Sequence, residues 1–166
     1  ATAVPGAHSR PALSKTGQTI AFDTMAASLL TGVESVTTGG DRNIVTVEEL
    51  TETARLALEH DLQLCTHAIG DRANRETLDV YERLLDGRDR RWRIEHAQHL
   101  NPADVPRFAE LGVIAAMQGI HCTSDAVFVP ERLGAARSRE GAYVWQSLLQ
   151  SGATVVNGTD APVEDV

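Results

Sequence analysis

LQLCTHAIGD, residues 62–71, is an aliphatic run that stops at an imidazole, His67, and then turns at Gly70. Two later segments share its logic: RWRIEHAQH (91–99) ends its run at His96, and TVVNGTDAPV (154–163) leads to Asp160. The first two runs follow helix-like sequence, and the third follows a stretch closing in Gly152. A β/α barrel presents ligands in this way, from the carboxyl ends of successive parallel strands. Two imidazoles and a carboxylate brought to one rim suit a Zn²⁺-type ion. The chemistry this points to is hydrolysis by metal-activated water.

Working outward, Thr46 and Glu49 form a T-x-x-E capping box, and Val47, Leu50, Ala54, Ala57 and Leu58 give a helical apolar stripe reaching about His60. A strand is expected over Leu62–Thr66. Asp71 is placed to cap a second helix, whose apolar face holds Ala73, Leu78, Tyr81, Leu84 and Leu85 and which stops near Gly87. Strand Trp92–Glu95 follows. Asn101 caps a third helix with Pro102 at its first position, and strand Val113–Met117 comes directly after Gly112. A long loop, a helix over about Glu140–Gln150 and a strand Thr154–Val156 complete the series. Helix-then-strand units in succession predict a parallel α/β sheet. A doubly wound sheet stays open as an alternative, although neither G-x-G-x-x-G nor G-x-x-x-x-G-K-[ST] occurs. Residues 1–45 read as a loop-rich lead-in with a short helix over Ile20–Leu30, and residues 46–166 as a single domain.

The chain has 166 residues, 42% of them hydrophobic, enough to bury a core. A full eight-unit barrel needs about 250, so the pattern predicts part of one, cut at both ends. Its exposed sheet edges would favour association, for example into a homo-oligomer. The net charge of −8 argues against a nucleic-acid partner. The basic cluster Arg88, Arg90, Arg91 and Arg93 is interrupted by Asp89 and reads as a solvated loop. No apolar run nears 18 residues, so no membrane partner is expected. Cys65 and Cys122 define no disulfide framework. Cys65 reads as a small buried thiol, and a reduced, cytoplasmic setting fits.

Several motifs, in order, resemble the amidohydrolase superfamily. They are H-A-I-G-D-R-A at 67–73, R-I-E-H-A-Q at 93–98 and G-T-D-A-P-V at 158–163, which look like its strand-5, strand-6 and strand-8 motifs. M-Q-G-I-H-C-T-S-D at 117–125 resembles the Q-P-x-H-x-x-S-D segment of the YtcJ-like branch, which includes N-substituted formamide deformylases. Gly119 stands where that branch has Pro. The resemblance spans about residues 44–166. It implies an α/β fold, the C-terminal half of a TIM-type (β/α)8 metal-dependent hydrolase barrel, strands 5 to 8, with parallel strands and intervening helices. It implies a divalent metal, Zn²⁺ as one or two ions, and a small-molecule amide or formamide substrate cleaved at a non-peptide C–N bond. His67 and His96 would ligate the second metal; Asp160 would ligate the first and act as general base. The family's H-x-H pair occurs nowhere in this chain, and its only Lys is Lys15. G-A-H-S-R-P-A-L at 6–13 is similar to the stretch after strand 4, which puts the bridging ligand upstream of Ala1.

Each residue keeps a second reading at this stage. Asp160 is a turn cap before Pro162 or a metal-bound base. His121 is a substrate or oxyanion contact or a plain loop histidine. Glu95, on the opposite strand face from His96, reads as a structural partner, His99 as a loop residue, and Tyr143 and Trp145 as helix packing. For the chain as a whole, the rivals are a non-catalytic fragment or pseudoenzyme and a barrel of unrelated chemistry. The latter needs a strand-end Lys that is not here.

Overall fold

In a computed structural model, residues 45–161 and 163 are described in full and residues 12–13 and 19–23 by their backbone path. The segment 6–11, Lys15 and residues 24–30 lie outside the described residues. β1 (Ala12–Leu13) and β2 (Thr19–Asp23) open the chain. The helix expected from Ile20 is therefore corrected over Ile20–Asp23, which is strand. T-I-A-F alternates with a period of two, and β2 is held by parallel pairing along β3 (Gln63–Ala68).

α1 (Val47–Glu59) starts at the expected capping box: Thr46 Oγ1 accepts from the Glu49 N–H at 3.1 Å, and the Glu49 carboxylate accepts from the Thr46 N–H at 2.9 Å. β3 runs two residues further than expected and takes His67 into the strand. α2 (Asp71–Leu85) has Gly70, not Asp71, at its N-cap. Asp71 sits in the first turn, where its carboxylate favours the helix dipole and its Oδ1 accepts from the Arg72 N–H at 2.9 Å. β4 (Arg93–His96) follows. A 3₁₀ turn (Pro102–Asp104), capped by Asn101, leads into α3 (Val105–Glu110), β5 (Ile114–Met117) and, later, β6 (Val155–Asn157).

The expected long loop after Met117 is instead folded as α4 (Gly119–Asp125), α5 (Val129–Leu133) and α6 (Ala135–Gly141). The helix expected over Glu140–Gln150 is shortened to α7 (Trp145–Gln150). The cause is capture of its start by the loop after β4. Gly141 O accepts from the Leu100 N–H and Gln98 O from the Tyr143 N–H, both at 2.8 Å, with His99 and Ala142 paired antiparallel between them. Tyr143 is thereby held at φ +53°, which no helix tolerates.

The strands lie in the order β1-β2-β3-β4-β5-β6, and every neighbouring pair from β2 onward is parallel. A doubly wound sheet reverses its order partway; the described strands do not, and with helices on one face the doubly wound alternative falls. The helices cover one face. Leu64, Ala68, Ile94 and Ala115 pack there against Leu50 and Ala54 of α1, Leu78 and Tyr81 of α2, Phe108 of α3 and Leu148 of α7. Tyr81 and Trp92 meet edge to face, ring centroids 4.8 Å apart. The Tyr81 hydroxyl pairs with Thr66 at 2.6 Å, and Trp92 Nε1 donates to Leu62 O at 3.0 Å. Both rings are completely buried, each worth roughly 1.5–3 kcal/mol of burial. The other face carries Cys65, His67, Arg93, Glu95, Ala116 and Val156, in register across the strands. Among the described residues no helix is long and apolar enough to cross a membrane.

Candidate metal centre

β3 delivers His67 by strict alternation: Leu64, Thr66 and Ala68 face the helices, and Cys65 and His67 face the other way. In register beside His67 are Asp23, the last residue of β2, and Glu95 of β4. The strand before β3 is thus within the chain. Glu95 accepts from Arg93 Nε on its own strand, which occupies both charges. Burial pushes the Cys65 thiol up to about 12, with Arg93 opposing, so it stays a protonated, inert group.

His96 reaches the same side by a different route. Its register partner is Ala68, on the helix-covered face. Continued alternation would bury the imidazole in the core. Instead His96 has φ +73° and Ala97 φ +43°, and the His96 ring lies edge-on to His67 with centroids 4.3 Å apart. Residues other than Gly in this region cost of order 1–3 kcal/mol each and collect at functional sites. Gln118 then fixes the ring. Its Nε2 donates to Ala116 O at 3.3 Å, so Oε1 is the atom facing His96, and His96 Nδ1–H donates to it at 2.7 Å. That leaves His96 Nε2 as the lone-pair nitrogen. Burial holds the imidazole below its usual range, against the opposing influence of Asp160 and Gln118. A neutral ring is the ligating form.

His121 stands on α4, which starts directly beyond β5. Gly119 N–H donates to Asn157 Oδ1 of β6 at 2.9 Å, a bond that a Pro at this position could not make. Asp160, three residues past β6, has φ +55°. Its Oδ2 lies 3.3 Å from His121 Nε2, and the His121 and His96 ring centroids are 5.8 Å apart. His96, His121 and Asp160 each offer one ligand atom, and the three lie within 4.8 Å of one another. Two donors about 2.0–2.1 Å from a tetrahedral ion stand roughly 3.3–3.4 Å apart. The His121–Asp160 spacing already matches, and two buried imidazoles with a partly exposed carboxylate fit a divalent ion.

Of the residues expected from sequence, His96 and Asp160 meet. His121, expected as a substrate contact, is the third donor of the cluster, and His67 flanks it through His96. His99, expected as a loop residue, is 2% exposed and packs edge-on against Tyr143 at 5.4 Å. Tyr143, expected as helix packing, uses its hydroxyl. That oxygen accepts from Gln98 Nε2 at 2.7 Å and donates to Asp125 Oδ2, which also accepts from Gln98 Nε2 at 2.7 Å. The sequence assigns no role to Gln98, Gln118 or Asp125, although each lies in a quoted motif, Gln98 two residues past His96, Gln118 three before His121 and Asp125 four after it. A cavity of about 490 Å³ lies off the cluster, between Asp71, Arg75, His99 and Arg137, and none of the three donors lines it.

What this geometry defines is a singly wound parallel α/β sheet with a ligand cluster at the carboxyl ends of its strands. The chain belongs to the Amidohydrolase family, which it matches over residues 11–166. It is 43% identical over 122 residues to the protein LONG AFTER FAR-RED 3 of Arabidopsis thaliana, covering 72% of this chain and 21% of that one. To YtcJ of Bacillus subtilis (strain 168) it is 33% identical over 119 residues, covering 72% and 22%. The chain thus spans about a fifth of the length of these relatives. Among solved structures it resembles an uncharacterised metal-dependent hydrolase from Pyrococcus furiosus (TM-score 0.72, 25% identity, 88% of this chain and 31% of that one). It also resembles one from Pyrococcus horikoshii OT3 (TM-score 0.73, 27% identity, 88% and 30%).

Proposed function

We propose that this chain forms part of the active-site rim of a metal-dependent hydrolase that cleaves a non-peptide C–N bond of a small amide or formamide. The observation that carries this reading is the meeting of His96, His121 and Asp160 within 4.8 Å, from three separate strand-end segments. The metal-dependent hydrolases among its structural relatives support it. His96 Nε2, His121 and Asp160 would hold the ion, Zn²⁺ being suited to two imidazoles and a carboxylate. His67, against the His96 ring, would serve a second ion. Bound there, such an ion polarises the scissile carbonyl and lowers the pKa of water to about 7.

The chain's own residues supply the proton handling. Asp160 takes a proton from the attacking water as the C–O bond forms, and returns it to the amine nitrogen as the C–N bond breaks. Amide and water become carboxylic acid and amine. Gln118 holds His96 in the tautomer that leaves Nε2 available.

The test is release of amine from N-substituted formamides, with simple esters as the comparison substrates. It is run on the zinc-loaded protein and on its Asp160→Ala variant. Zinc-dependent amine release that the variant lacks is the expected result. Turnover indifferent to both zinc and Asp160 would sink the reading. The chain carries no H-x-H pair, so the zinc-dependent release is expected to be slow.

A further inference from the structure

His96 and His121 come from different units of the fold, and a hydrogen-bonded cluster away from the ligand atoms ties those units together. Gln98, two residues past His96, donates to both Tyr143 Oη and Asp125 Oδ2. Tyr143 Oη donates to Asp125, one helical turn beyond His121 on α4, and stands 3.2 Å from the carbonyl oxygen of His121 itself. The Tyr143 N–H donates to Gln98 O at 2.8 Å. Three segments therefore close on one point: the loop after β4, helix α4 and the connection between α6 and α7.

Two features set this cluster apart from ordinary packing. Tyr143 is an aromatic residue held at φ +53°, a conformation that survives only where its surroundings over-determine it. α4 is seven residues long and lacks a side-chain N-cap, so little in its own sequence fixes where His121 points. Its anchors lie outside it: Gly119 N–H on Asn157 at the start, and Asp125 on Tyr143 and Gln98 at the end.

We propose that Tyr143 and Asp125, bridged by Gln98, are positioning residues that set the His96–His121 separation and so tune a metal they never touch. The proposal rests on the metal-site reading above. Outer contacts of this kind are worth roughly 10–100-fold in metal affinity.

The test uses Co²⁺ as the probe, titrated into the intact protein and into Tyr143→Phe, Asp125→Asn and Asp125→Ala. Affinity is read by chelator competition, and ligand geometry by the visible absorption bands at saturating Co²⁺. Tyr143→Phe, which removes one oxygen, is expected to lose about tenfold in affinity and to change the saturated spectrum. Asp125→Ala should do the same, while Asp125→Asn, which keeps an acceptor for the Tyr143 hydroxyl, should be partly rescued. A role confined to folding would lower the thermal midpoint and leave the saturated spectrum as it is; that result, or unchanged affinity, overturns the proposal. Should Tyr143→Phe fail to fold, the Asp125 pair is judged by the same spectrum. A wild-type protein that takes up no Co²⁺ would instead bring down the metal-site reading itself.

Discussion

His121 Nε2 and Asp160 Oδ2 stand 3.3 Å apart, bringing helix α4 against the turn that follows β6. An imidazole and a carboxylate at this distance can share a proton or a cation. Asp160→Asn keeps the volume and removes the charge. The expected outcome is a loss of roughly a hundredfold or more in Zn²⁺ affinity, beyond the 10–100-fold attached to contacts that only orient a ligand. Competition with a chromogenic chelator measures it, and an affinity equal to wild type would contradict the assignment.

Gln118 accepts from His96 Nδ1 at 2.7 Å and is not itself one of the three donors. Gln118→Leu fills similar space but cannot accept that proton, so the tautomer and ring angle of His96 are released. Zn²⁺ affinity should fall about 10–100-fold with little change in thermal midpoint. Equal losses of affinity and stability would mean that Gln118 acts through the fold alone.

His99 sets a pH dependence of stability. Burial, aided by the nearby Arg137 charge, pushes its imidazole down to about 4. The unfolded chain binds this proton at about 6.5. Between those values the unfolded state holds more protons than the folded one, so stability falls as pH drops from 6.5 toward 4. The full effect is about 3 kcal/mol at most. Urea unfolding at pH 7 and pH 5 should show a lower midpoint at pH 5, and His99→Leu should flatten that difference. A wild-type slope that survives the substitution would assign it to other groups.

Gly141 sits where two backbones touch. A Cβ there would lie 2.2 Å from Leu100 O, a main-chain atom with no room to retreat. Gly141→Ala should cost about 1–3 kcal/mol, lowering the thermal midpoint by several degrees. An unchanged midpoint would show that the loop after β4 yields more easily than its hydrogen bonds suggest.

Much of the fold was legible because it rests on local signals. The capping box at Thr46 and Glu49 marks the start of α1, and the runs ending at His67, His96 and Met117 are β3, β4 and β5 to within two residues. β2 was missed because five residues in a Gly- and Thr-rich stretch make a strand only by pairing with β3. The helices α4, α5 and α6 span five to seven residues each, too few turns for a hydrophobic period to repeat. At the site, the sequence named His67, His96, His121 and Asp160 and grouped His67 with His96 and Asp160, whereas the donor atoms that meet are those of His96, His121 and Asp160. That grouping depends on positive φ at His96 and Asp160. Neither residue is Gly, so composition leaves no trace of it.

The monotonic strand order carries a consequence for biosynthesis. Each strand from β3 onward pairs with the one translated just before it, so the sheet can grow in the order of synthesis. His96, however, waits for Gln118, and His121 for Tyr143 and Asn157, before their contacts are complete. Asp160 emerges last of the four, and the cluster of His96, His121 and Asp160 can close only when translation has passed it.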